Sequence, residues 1–264
     1  MQINNSLAAV VTGGASGLGK ASAEALAGAG MKVAIFDINE EAGEAIAKEI
    51  GGVFCNVNIM DEASVEAGFA KARAAHGQER IVVHCAVVSG GGKTVRWDKE
   101  SGGYARTPTE QIARSAEGIF TASYRVASIG ALGMAGAEPL NDDGERGVII
   151  MTSSAASQDG QIGQVAYGGG KGAVNAMVLP MARDLMDVGV RVNAILPGIF
   201  GTPPMLSVKD YNPAIFEGLN KSVPFPKRLG KPEEFGSLVL ELVRNTYMNG
   251  QLWRIDGAIR MPPK

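Results

Sequence analysis

The sequence predicts a single α/β domain in which helices cover both faces of a doubly wound parallel sheet of about seven strands. Two observations carry this prediction. Short apolar runs alternate with longer amphipathic runs along almost the whole chain. No internal repeat or low-complexity linker interrupts the alternation, so the 264 residues are predicted to form one domain.

Each element is predicted from the period of its apolar residues. Strands are expected where short runs rich in valine, isoleucine and alanine end at glycine or polar residues. The predicted strands are 7–12, 32–37, 52–56, 80–85, 147–153, 191–196 and 250–255. Helices are expected where apolar residues recur three and four positions apart. The predicted helices are 17–29, 40–50, 61–76, 109–134, 167–188 and 232–244.

Two long segments break this order, and each follows the carboxyl end of a predicted strand. Residues 86–107 are rich in glycine and lack periodicity, and residues 197–231 contain six prolines. Long segments without secondary structure in a compact domain are often lids or binding loops. Because doubly wound sheets bind ligands at the carboxyl ends of their strands, both segments are predicted to be substrate loops.

Composition and charge limit the classes of partner. Hydrophobic residues make up 45% of the chain, as in globular proteins, and the formal net charge is −2. A chain with this charge and no basic stripe is not expected to bind nucleic acid. No run approaches the roughly 18 apolar residues of a membrane span, and no positively charged leader opens the chain. We therefore expect a cytoplasmic protein that acts on a small molecule.

Cysteine and histidine are too scarce for a disulfide framework or a metal site. Cys55 and Cys85 each end a predicted strand and are expected to be buried, reduced thiols. The two histidines, His76 and His84, are too few and too far apart in sequence for a zinc site. No metal is expected.

A glycine-rich turn joins the first strand to the first helix. The strand LAAVVT runs directly into GGASGLGK, with glycines at 13, 17 and 19. Glycines at these places allow a tight turn and let the backbone approach a pyrophosphate, while the helix N-terminus offers free N–H groups. Because the glycines stand between a predicted strand and a predicted helix, they indicate a dinucleotide site in a Rossmann-type domain.

Asp37 indicates which dinucleotide is bound. It stands at the end of the second strand, 18 residues after Gly19. A carboxylate there can accept hydrogen bonds from the adenosine ribose hydroxyls and would repel a 2′-phosphate. No arginine neighbours it, and Ser16 occupies the loop position where a basic residue would welcome the phosphate. NAD is therefore favoured over NADP, with a strand-ending turn as the alternative role of Asp37.

A tyrosine and a lysine four residues apart indicate acid–base chemistry. Tyr167 and Lys171 are predicted to lie on one helical face about 5–6 Å apart. The ammonium of Lys171 is then expected to lower the pKa of the Tyr167 phenol. Ser154, at the end of the fifth strand, can hydrogen-bond a substrate oxygen. The glycines at 168–170 are expected to leave room for a ribose and for close helix packing, which explains a run of three only in part.

These motifs together resemble the short-chain dehydrogenase/reductase family. The resemblance rests on the spacing TGxxxGxG at 12–19, on Ser154, on Tyr167-x-x-x-Lys171 and on LPG at 196–198, all in order. It covers the whole chain. The resemblance implies an enzyme that interconverts a secondary alcohol and a ketone with a nicotinamide cofactor, with Ser154, Tyr167 and Lys171 as catalytic residues.

Segments 160–203 and 223–262 are similar to the 3-hydroxyacyl-CoA dehydrogenase branch of that family. This similarity implies a 3-hydroxyacyl-CoA thioester as substrate, NAD as cofactor, and a homotetramer or related hetero-oligomer. It places Gln161 and Gln164 in the substrate pocket, with solvated loop residues as the alternative. The implied cofactor-binding residues are Gly13, Ser16, Gly17, Leu18, Gly19, Asp37, Asn56, Val57, Cys85, Ala86, Tyr167, Lys171, Pro197, Gly198, Phe200 and Thr202.

The chain departs from the family pattern at three places. Asn56 precedes Val57 where an aspartate is common beside the adenine. His84–Val87 replaces the usual Asn-x-Ala-Gly, and the bulk of Val87 is expected to crowd the adenosine side. Ser115 stands where the family has a catalytic asparagine, and a serine offers fewer hydrogen bonds than an asparagine. A slower or rerouted proton relay is predicted.

Three functions stay open at this point. The first is oxidation of a 3-hydroxyacyl-CoA thioester, and the second is the same chemistry on a steroid, aromatic or cyclic alcohol. The third is a weakly active or inactive NAD-binding subunit that supports a catalytic partner. The altered positions 84–87 and 115 favour the third function, whereas the intact Ser154, Tyr167 and Lys171 oppose it.

Overall fold

Seven parallel strands form the central sheet, in the order β3-β2-β1-β4-β7-β8-β9. The structure is a computed structural model that describes residues 1–263. The sheet strands are β1 (Ala8–Thr12), β2 (Lys32–Asp37), β3 (Val53–Asn56), β4 (Glu79–His84), β7 (Gly147–Thr152), β8 (Val190–Pro197) and β9 (Leu252–Ile255). β5 (Val95–Asp98) and β6 (Gly103–Arg106) pair separately as an antiparallel hairpin.

Helices cover both faces of the sheet, which makes the chain a single α/β domain of the Rossmann type. The helices are α1 (Gly17–Gly28), α2 (Glu40–Ile50), α3 (Glu62–His76), α4 (Thr109–Ala116), α5 (Ala122–Ala135), α6 (Ala156–Asp159), α7 (Val165–Asp184), α8 (Pro203–Tyr211), α9 (Pro213–Ser222) and α10 (Pro232–Arg244). None of these helices combines the length and the apolar character needed to cross a bilayer.

The core has two halves because successive strand residues point to opposite faces. Val82 and Ile149 pack with α3, α5 and α7 on one face. Their chain neighbours Val83 and Ile150 pack with α1, α2 and α10 on the other. All residues of β1, β7 and β8 are buried, as expected for strands that are covered on both sides.

The predicted seven-stranded sheet is confirmed, and its strands lie within two residues of the predicted bounds. The predicted helix 109–134 is continuous but irregular, because a π-helical turn at Glu117–Thr121 separates α4 from α5. The predicted helix 167–188 begins at Val165 instead, and it ends in a 3₁₀ turn at Met186–Val188.

The two segments predicted to lack secondary structure both contain it. In 86–107, β5 and β6 pair so that Trp97 lies opposite Tyr104, with ring centroids 5.3 Å apart. In 197–231, α8 and α9 each begin with proline, which suits a first helical turn because its N–H groups have no partner inside the helix. Three of the six prolines that predicted a loop, Pro203, Pro204 and Pro213, therefore lie in the first turns of helices.

A buried charged cluster ties β8 to the end of α10. The guanidinium of Arg191 lies 2.8 Å from a carboxylate oxygen of Glu145, and both side chains are less than a tenth exposed. Arg191 also donates to the carbonyls of Leu242 and Met248, at 2.9 and 2.8 Å. The amino group of Met1 lies 3.1 Å from the other Glu145 oxygen. Glu145 therefore balances two buried cations.

Substitution of Glu145 by alanine is expected to lower the free energy of unfolding by about 3–5 kcal/mol, because Arg191 stays buried without its carboxylate. Urea-induced unfolding measures the change. Glu241→Ala is the control, since it removes an exposed pair whose atoms lie 3.5 Å apart, and about 1 kcal/mol or less is expected. Equal losses in the two variants would contradict a special role for the buried cluster.

Candidate active site

The glycine turn after β1 has the close packing that its glycines predict. Gly13 and Gly17 adopt positive φ angles of 67° and 54°. A Cβ on Gly13 would lie 2.9 Å from the backbone nitrogen of Ala86, and one on Gly19 would overlap the carbonyl oxygen of Gly13. The turn therefore excludes side chains at these points and presents backbone to the space above the start of α1.

The Asp37 side chain is hydrogen-bonded to the backbone of the glycine turn. One carboxylate oxygen accepts a hydrogen bond from the backbone of Ala15 at 3.1 Å, and the other accepts from Asn39 at 3.0 Å. The carboxylate is thus fixed at the carboxyl end of β2, beside the turn. It is partly exposed and faces the same cleft as Ser16.

A cleft of 490 Å³ runs along the carboxyl edge of the sheet. It is lined by Gly13, Ser16, Gly17, Leu18, Gly19, Phe36, Asp37, Ile38, Val57, Asn58, Ile59, Cys85, Ala86, Val87, Val88, Thr152, Ser153, Tyr167, Lys171, Pro197, Thr202, Pro203 and Pro204. All of the predicted cofactor residues except Asn56, Gly198 and Phe200 are among them. The sheet order thus brings together residues from seven parts of the chain.

The three exceptions lie behind or beside the cleft. Asn56 is exposed at the end of β3. Gly198 packs against Asp256, where a Cβ would lie 2.7 Å from the aspartate Cβ. Phe200 is buried, and its ring meets Phe235 edge to face with centroids 6.2 Å apart. Gly198 and Phe200 therefore support the cleft from the rear.

Several lining residues are absent from the sequence prediction, although one signal marks them. Ile38, Asn58, Val88 and Ser153 each lie within four residues of the carboxyl end of a sheet strand. Extending the prediction to the residues after every strand end would have found them. Val87 lines the cleft and is 43% exposed, and the crowding of the adenosine side by its side chain stays a prediction.

Tyr167 and Lys171 lie on the first turns of α7, facing the end of β7. The Lys171 side chain is almost fully buried, and its ammonium donates a hydrogen bond to the Thr152 carbonyl at 2.6 Å. The ammonium nitrogen lies 5.9 Å from the centroid of the Tyr167 ring. Ser154 is also buried, and its hydroxyl oxygen accepts from the backbone of Ala156 at 3.1 Å.

The pKa values of these groups differ from the expectation drawn from their spacing. Burial raises the pKa of the Tyr167 phenol, and a hydrogen bond with the Ser154 side chain partly opposes that rise. Burial lowers the pKa of Lys171 to about 8. Lys171 was expected to lower the Tyr167 pKa, but desolvation outweighs other effects at the phenol, and Ser154 is the neighbour that opposes it.

The run of three glycines has a packing reason at two of its positions. A Cβ on Gly168 would lie 3.1 Å from the carbonyl oxygen of Ala156. One on Gly170 would lie 2.7 Å from the side chain of Ile119. Gly169 has open space around it, and nothing in the structure explains it. Gly168 and Gly170 therefore favour close packing of α7 against α6 and the π-helical turn, because a larger residue at either position would displace a neighbour.

Ser115 and Gln164 contact the loop after β4. The Ser115 hydroxyl is buried and accepts a hydrogen bond from the backbone of Gly90 at 3.0 Å. Ser115 does not line the cleft, so a catalytic role for it stays a prediction. Gln164 forms an isolated β-bridge with Gly92, and its side-chain oxygen is buried without a hydrogen-bond partner among residues 1–263. Gln161, three residues earlier, is partly exposed.

His84 is a buried neutral imidazole beneath the cleft. Its Nδ1 lies 2.8 Å from the Thr12 hydroxyl, which accepts hydrogen bonds from the backbone of Cys85 and Ala86 at 3.2 Å each. The Thr12 hydroxyl proton is therefore free to point at Nδ1, which leaves the imidazole proton on Nε2. Burial and the nearby Lys171 charge lower the pKa of His84 to about 3.

Neither a disulfide nor a cluster of metal-ligating side chains occurs in the described part of the chain. Cys55 and Cys85 are both free thiols, and the Cys85 sulfur lies 3.2 Å from the Thr152 hydroxyl. Residues 1–263 contain no group of three histidine, cysteine, aspartate or glutamate side chains placed to hold a metal ion.

The fold and the residues at its carboxyl edge define a Rossmann-type oxidoreductase. The chain belongs to the short-chain dehydrogenase/reductase family. A family model described as "Enoyl-(Acyl carrier protein) reductase" matches residues 13–259. The human protein named 3-hydroxyacyl-CoA dehydrogenase type-2 is 40% identical over 259 residues, which cover 97% of this chain and 96% of that protein.

Two solved structures have the same fold. The 3-hydroxyacyl-CoA dehydrogenase type-2 from Mycobacterium avium superposes with a TM-score of 0.89 at 36% identity, covering all of both chains. A 7α-hydroxysteroid dehydrogenase complexed with NADH and 7-oxo glycochenodeoxycholic acid gives a TM-score of 0.85 at 26% identity, covering 100% of this chain and 97% of that one. Both are similar to this chain from end to end.

Substitution of His84 by asparagine is expected to reduce the loss of stability in acid. Below pH 6.5 the unfolded chain binds a proton at His84, whereas the folded chain does so only near pH 3. Folding stability is therefore lost as pH falls, by about 1.4 kcal/mol per pH unit from this group. Between pH 6.5 and 5, the unfolding free energy of the wild type should fall by about 2 kcal/mol more than that of the variant.

Chemical denaturation at several pH values makes this comparison, since the effects of other groups are common to both proteins. An asparagine side chain can still accept a hydrogen bond from Thr12. A difference between the two proteins that stays constant with pH would show that His84 is not held neutral.

Proposed function

We propose that the chain is an NAD-dependent dehydrogenase that interconverts a secondary alcohol and a ketone, with a 3-hydroxyacyl-CoA thioester as substrate. The observation that carries the substrate class is the 40% identity to the human 3-hydroxyacyl-CoA dehydrogenase type-2 over 97% of this chain. Ser154, Tyr167 and Lys171 at the carboxyl edge of the sheet support the chemistry.

The residues of the cleft fit a dinucleotide. The glycine turn has no room for side chains at Gly13 and Gly19, which suits close approach of a pyrophosphate to the backbone. Asp37 would hold the adenosine ribose, and its charge would repel the 2′-phosphate of NADP. When bound, the nicotinamide supplies the carbon that accepts or returns hydride, so the protein needs to supply only position and electrostatics.

Each of the three catalytic residues has a distinct role in this proposal. Ser154 hydrogen-bonds the substrate oxygen and fixes its position. Tyr167 holds the proton that moves to this oxygen in ketone reduction, and it takes the proton back in alcohol oxidation. With a pKa of about 8, Lys171 is protonated at neutral pH, and its ammonium stabilises the phenolate that forms on Tyr167.

A second candidate substrate is a steroid or another cyclic secondary alcohol. It is supported by the similarity to the 7α-hydroxysteroid dehydrogenase over the whole chain. For both candidates, the substrate is proposed to bind beside Gln161 and Gln164, with the segments 86–107 and 197–231 as substrate loops. The hairpin presents Trp97 and Tyr104, which are 57% and 79% exposed. The third possibility is a weakly active or inactive NAD-binding subunit that supports a catalytic partner. Such a subunit would bind the cofactor in the same cleft and would turn over neither substrate.

The proposed assembly is a homotetramer in the cytoplasm. Apolar side chains project from two helices: Tyr124 and Leu132 of α5 are 54% and 78% exposed, and Val165 and Leu179 of α7 are 57% and 45% exposed. Large exposed apolar side chains are typical of protein–protein contacts, and a second copy of the chain would cover these four. A related hetero-oligomer would bury the same side chains.

Replacement of Tyr167 by phenylalanine is expected to lower kcat for NADH-dependent reduction of acetoacetyl-CoA by about 10²–10⁴-fold, because the proton donor is lost. The Kd for NADH, measured by fluorescence titration, should stay close to that of the wild type. Tyr247→Phe is the matched control, because Tyr247 is 99% exposed and does not line the cleft. Absorbance of the reduced nicotinamide follows turnover.

The same assay with a steroid ketone separates the alternatives. If the protein reduces the steroid ketone but not the CoA thioester, the substrate is assigned as a cyclic alcohol and not as a 3-hydroxyacyl-CoA. NADH binding without turnover of any ketone would favour the supporting subunit. Full activity of Tyr167→Phe would contradict the mechanism itself.

Asp37→Ser is expected to weaken the preference for NAD over NADP by about 10–100-fold in kcat/KM, since a hydrogen bond to a charged group contributes about 1.5–3 kcal/mol. The same substitution removes the charge that opposes a 2′-phosphate. Steady-state kinetics with the two cofactors measure the ratio. An unchanged ratio would assign Asp37 to the turn alone, where it caps the backbone of Ala15 and Asn39.

A further inference from the structure

Asn175 continues the catalytic face of α7 by one turn. Tyr167, Lys171 and Asn175 are spaced four residues apart, so they lie in a row along one side of the helix. The Asn175 side chain points at α6, which begins two residues after Ser154. The proposed reaction assigns roles to Tyr167 and Lys171 but none to Asn175.

A chain of two hydrogen bonds links Asn175 to the backbone of Ser154. The Asn175 amide nitrogen lies 2.8 Å from the Ser157 hydroxyl oxygen. That hydroxyl in turn donates to the carbonyl oxygen of Ser154 at 2.6 Å. The Ser157 hydroxyl has only one proton, which it donates to this carbonyl. It must therefore accept the hydrogen bond that the Asn175 amide nitrogen donates. Asn175 is therefore held with its amide nitrogen toward Ser157.

A second bond joins the same two segments on the other side of Ser154. The hydroxyl of Ser153 donates to the backbone carbonyl of Lys171 at 3.0 Å. Ser154 is thus flanked by Ser153 and Ser157, and each of these serines is tied to α7. These two hydrogen bonds reach α7 one turn apart, at Lys171 and Asn175. They fix the position of Ser154 relative to the helix that carries Tyr167.

A contribution to folding stability does not by itself explain why Asn175 and Ser157 are polar. With its nitrogen toward Ser157, Asn175 leaves its side-chain oxygen buried with no hydrogen-bond partner among residues 1–263. A buried acceptor without a partner lowers stability, whereas an apolar pair of similar shape would leave nothing unsatisfied. Retaining a polar pair at this point therefore indicates a role in setting geometry.

We propose that Ser157 and Asn175 are positioning residues that hold the Ser154 hydroxyl against Tyr167 and the substrate oxygen. This inference rests on the proposed dehydrogenase function. The pair acts through the turn that carries Ser154 and touches neither substrate nor cofactor. Small displacements of such a hydroxyl have large effects on rate, because catalysis depends on the alignment of the reacting groups.

Three variants separate positioning from folding. Asn175→Leu and Ser157→Ala each remove one partner, and the double variant removes both without leaving an orphaned polar group. The double variant should recover the thermal stability that Ser157→Ala loses by leaving the partly buried Asn175 amide nitrogen without an acceptor. Its kcat should nevertheless stay about tenfold or more below that of the wild type, while the Kd for NADH is unchanged. Ser128→Ala is the matched control, since its hydroxyl also donates to a carbonyl three residues earlier.

A second measurement does not depend on turnover. With tyrosine labelled by ¹³C at Cζ, NMR titration gives the pKa of each phenol, and Tyr167→Phe assigns the signal of Tyr167. The hydrogen bond with Ser154 lowers the Tyr167 pKa, so loss of the positioning pair is expected to raise that pKa in all three variants. A merely structural pair would leave the pKa unchanged in the stable double variant.

The outcomes distinguish this inference from the proposed function. If the wild type reduces no ketone, the proposed function fails, and the shift of the Tyr167 pKa alone decides whether Ser157 and Asn175 position Ser154. If the wild type is active but the double variant keeps both full kcat and the wild-type Tyr167 pKa, the positioning role is wrong. A lower kcat with a raised pKa in the stable double variant supports it.

Discussion

Burial of the Lys171 ammonium is the constraint on which the site depends. A charged lysine removed from water needs hydrogen-bond acceptors, and the carbonyl of Thr152 at the end of β7 supplies one at 2.6 Å. This bond fixes the start of α7 against the sheet. Tyr167 lies one turn earlier on the same face, so the contact that satisfies the lysine also places the phenol beside the cleft. On the sides of α7 that face α6 and the π-helical turn, Gly168 and Gly170 allow the helix to pack closely.

The other half of the site depends on the order of the strands. The chain turns in opposite directions after β1 and β4, so the ends of these neighbouring strands open a crevice between their connections. The glycine turn after β1 and the residues after β4 enter this crevice from two sides. Thr12 holds them together, because its hydroxyl accepts hydrogen bonds from both Cys85 and Ala86. The glycine turn and the cluster of Ser154, Tyr167 and Lys171 thus occupy adjoining parts of one edge.

The sequence predicted the fold and most of the cleft because both depend on local periodicity and on residues at strand ends. Period and flanking glycines were enough to place β1, α1 and the glycine turn. The helices α8 and α9 escape prediction, because prolines such as Pro203 and Pro213 indicate a loop when only the sequence is considered. The pKa of Tyr167 was predicted in the wrong direction, since spacing reveals the nearest charge but not the depth of burial. The link from Asn175 to Ser154 was invisible for a similar reason, because it crosses between segments that only the fold brings together.

The hairpin β5–β6 is built so that it can vary independently. Its strands bond only to each other, and Trp97 and Tyr104 pack on one another rather than on the core. Residues can therefore be inserted, removed or exchanged there without altering the seven-stranded ladder or the buried lysine. Lineages that share this fold can therefore diverge in this peripheral ribbon while the sheet and the buried lysine are inherited unchanged.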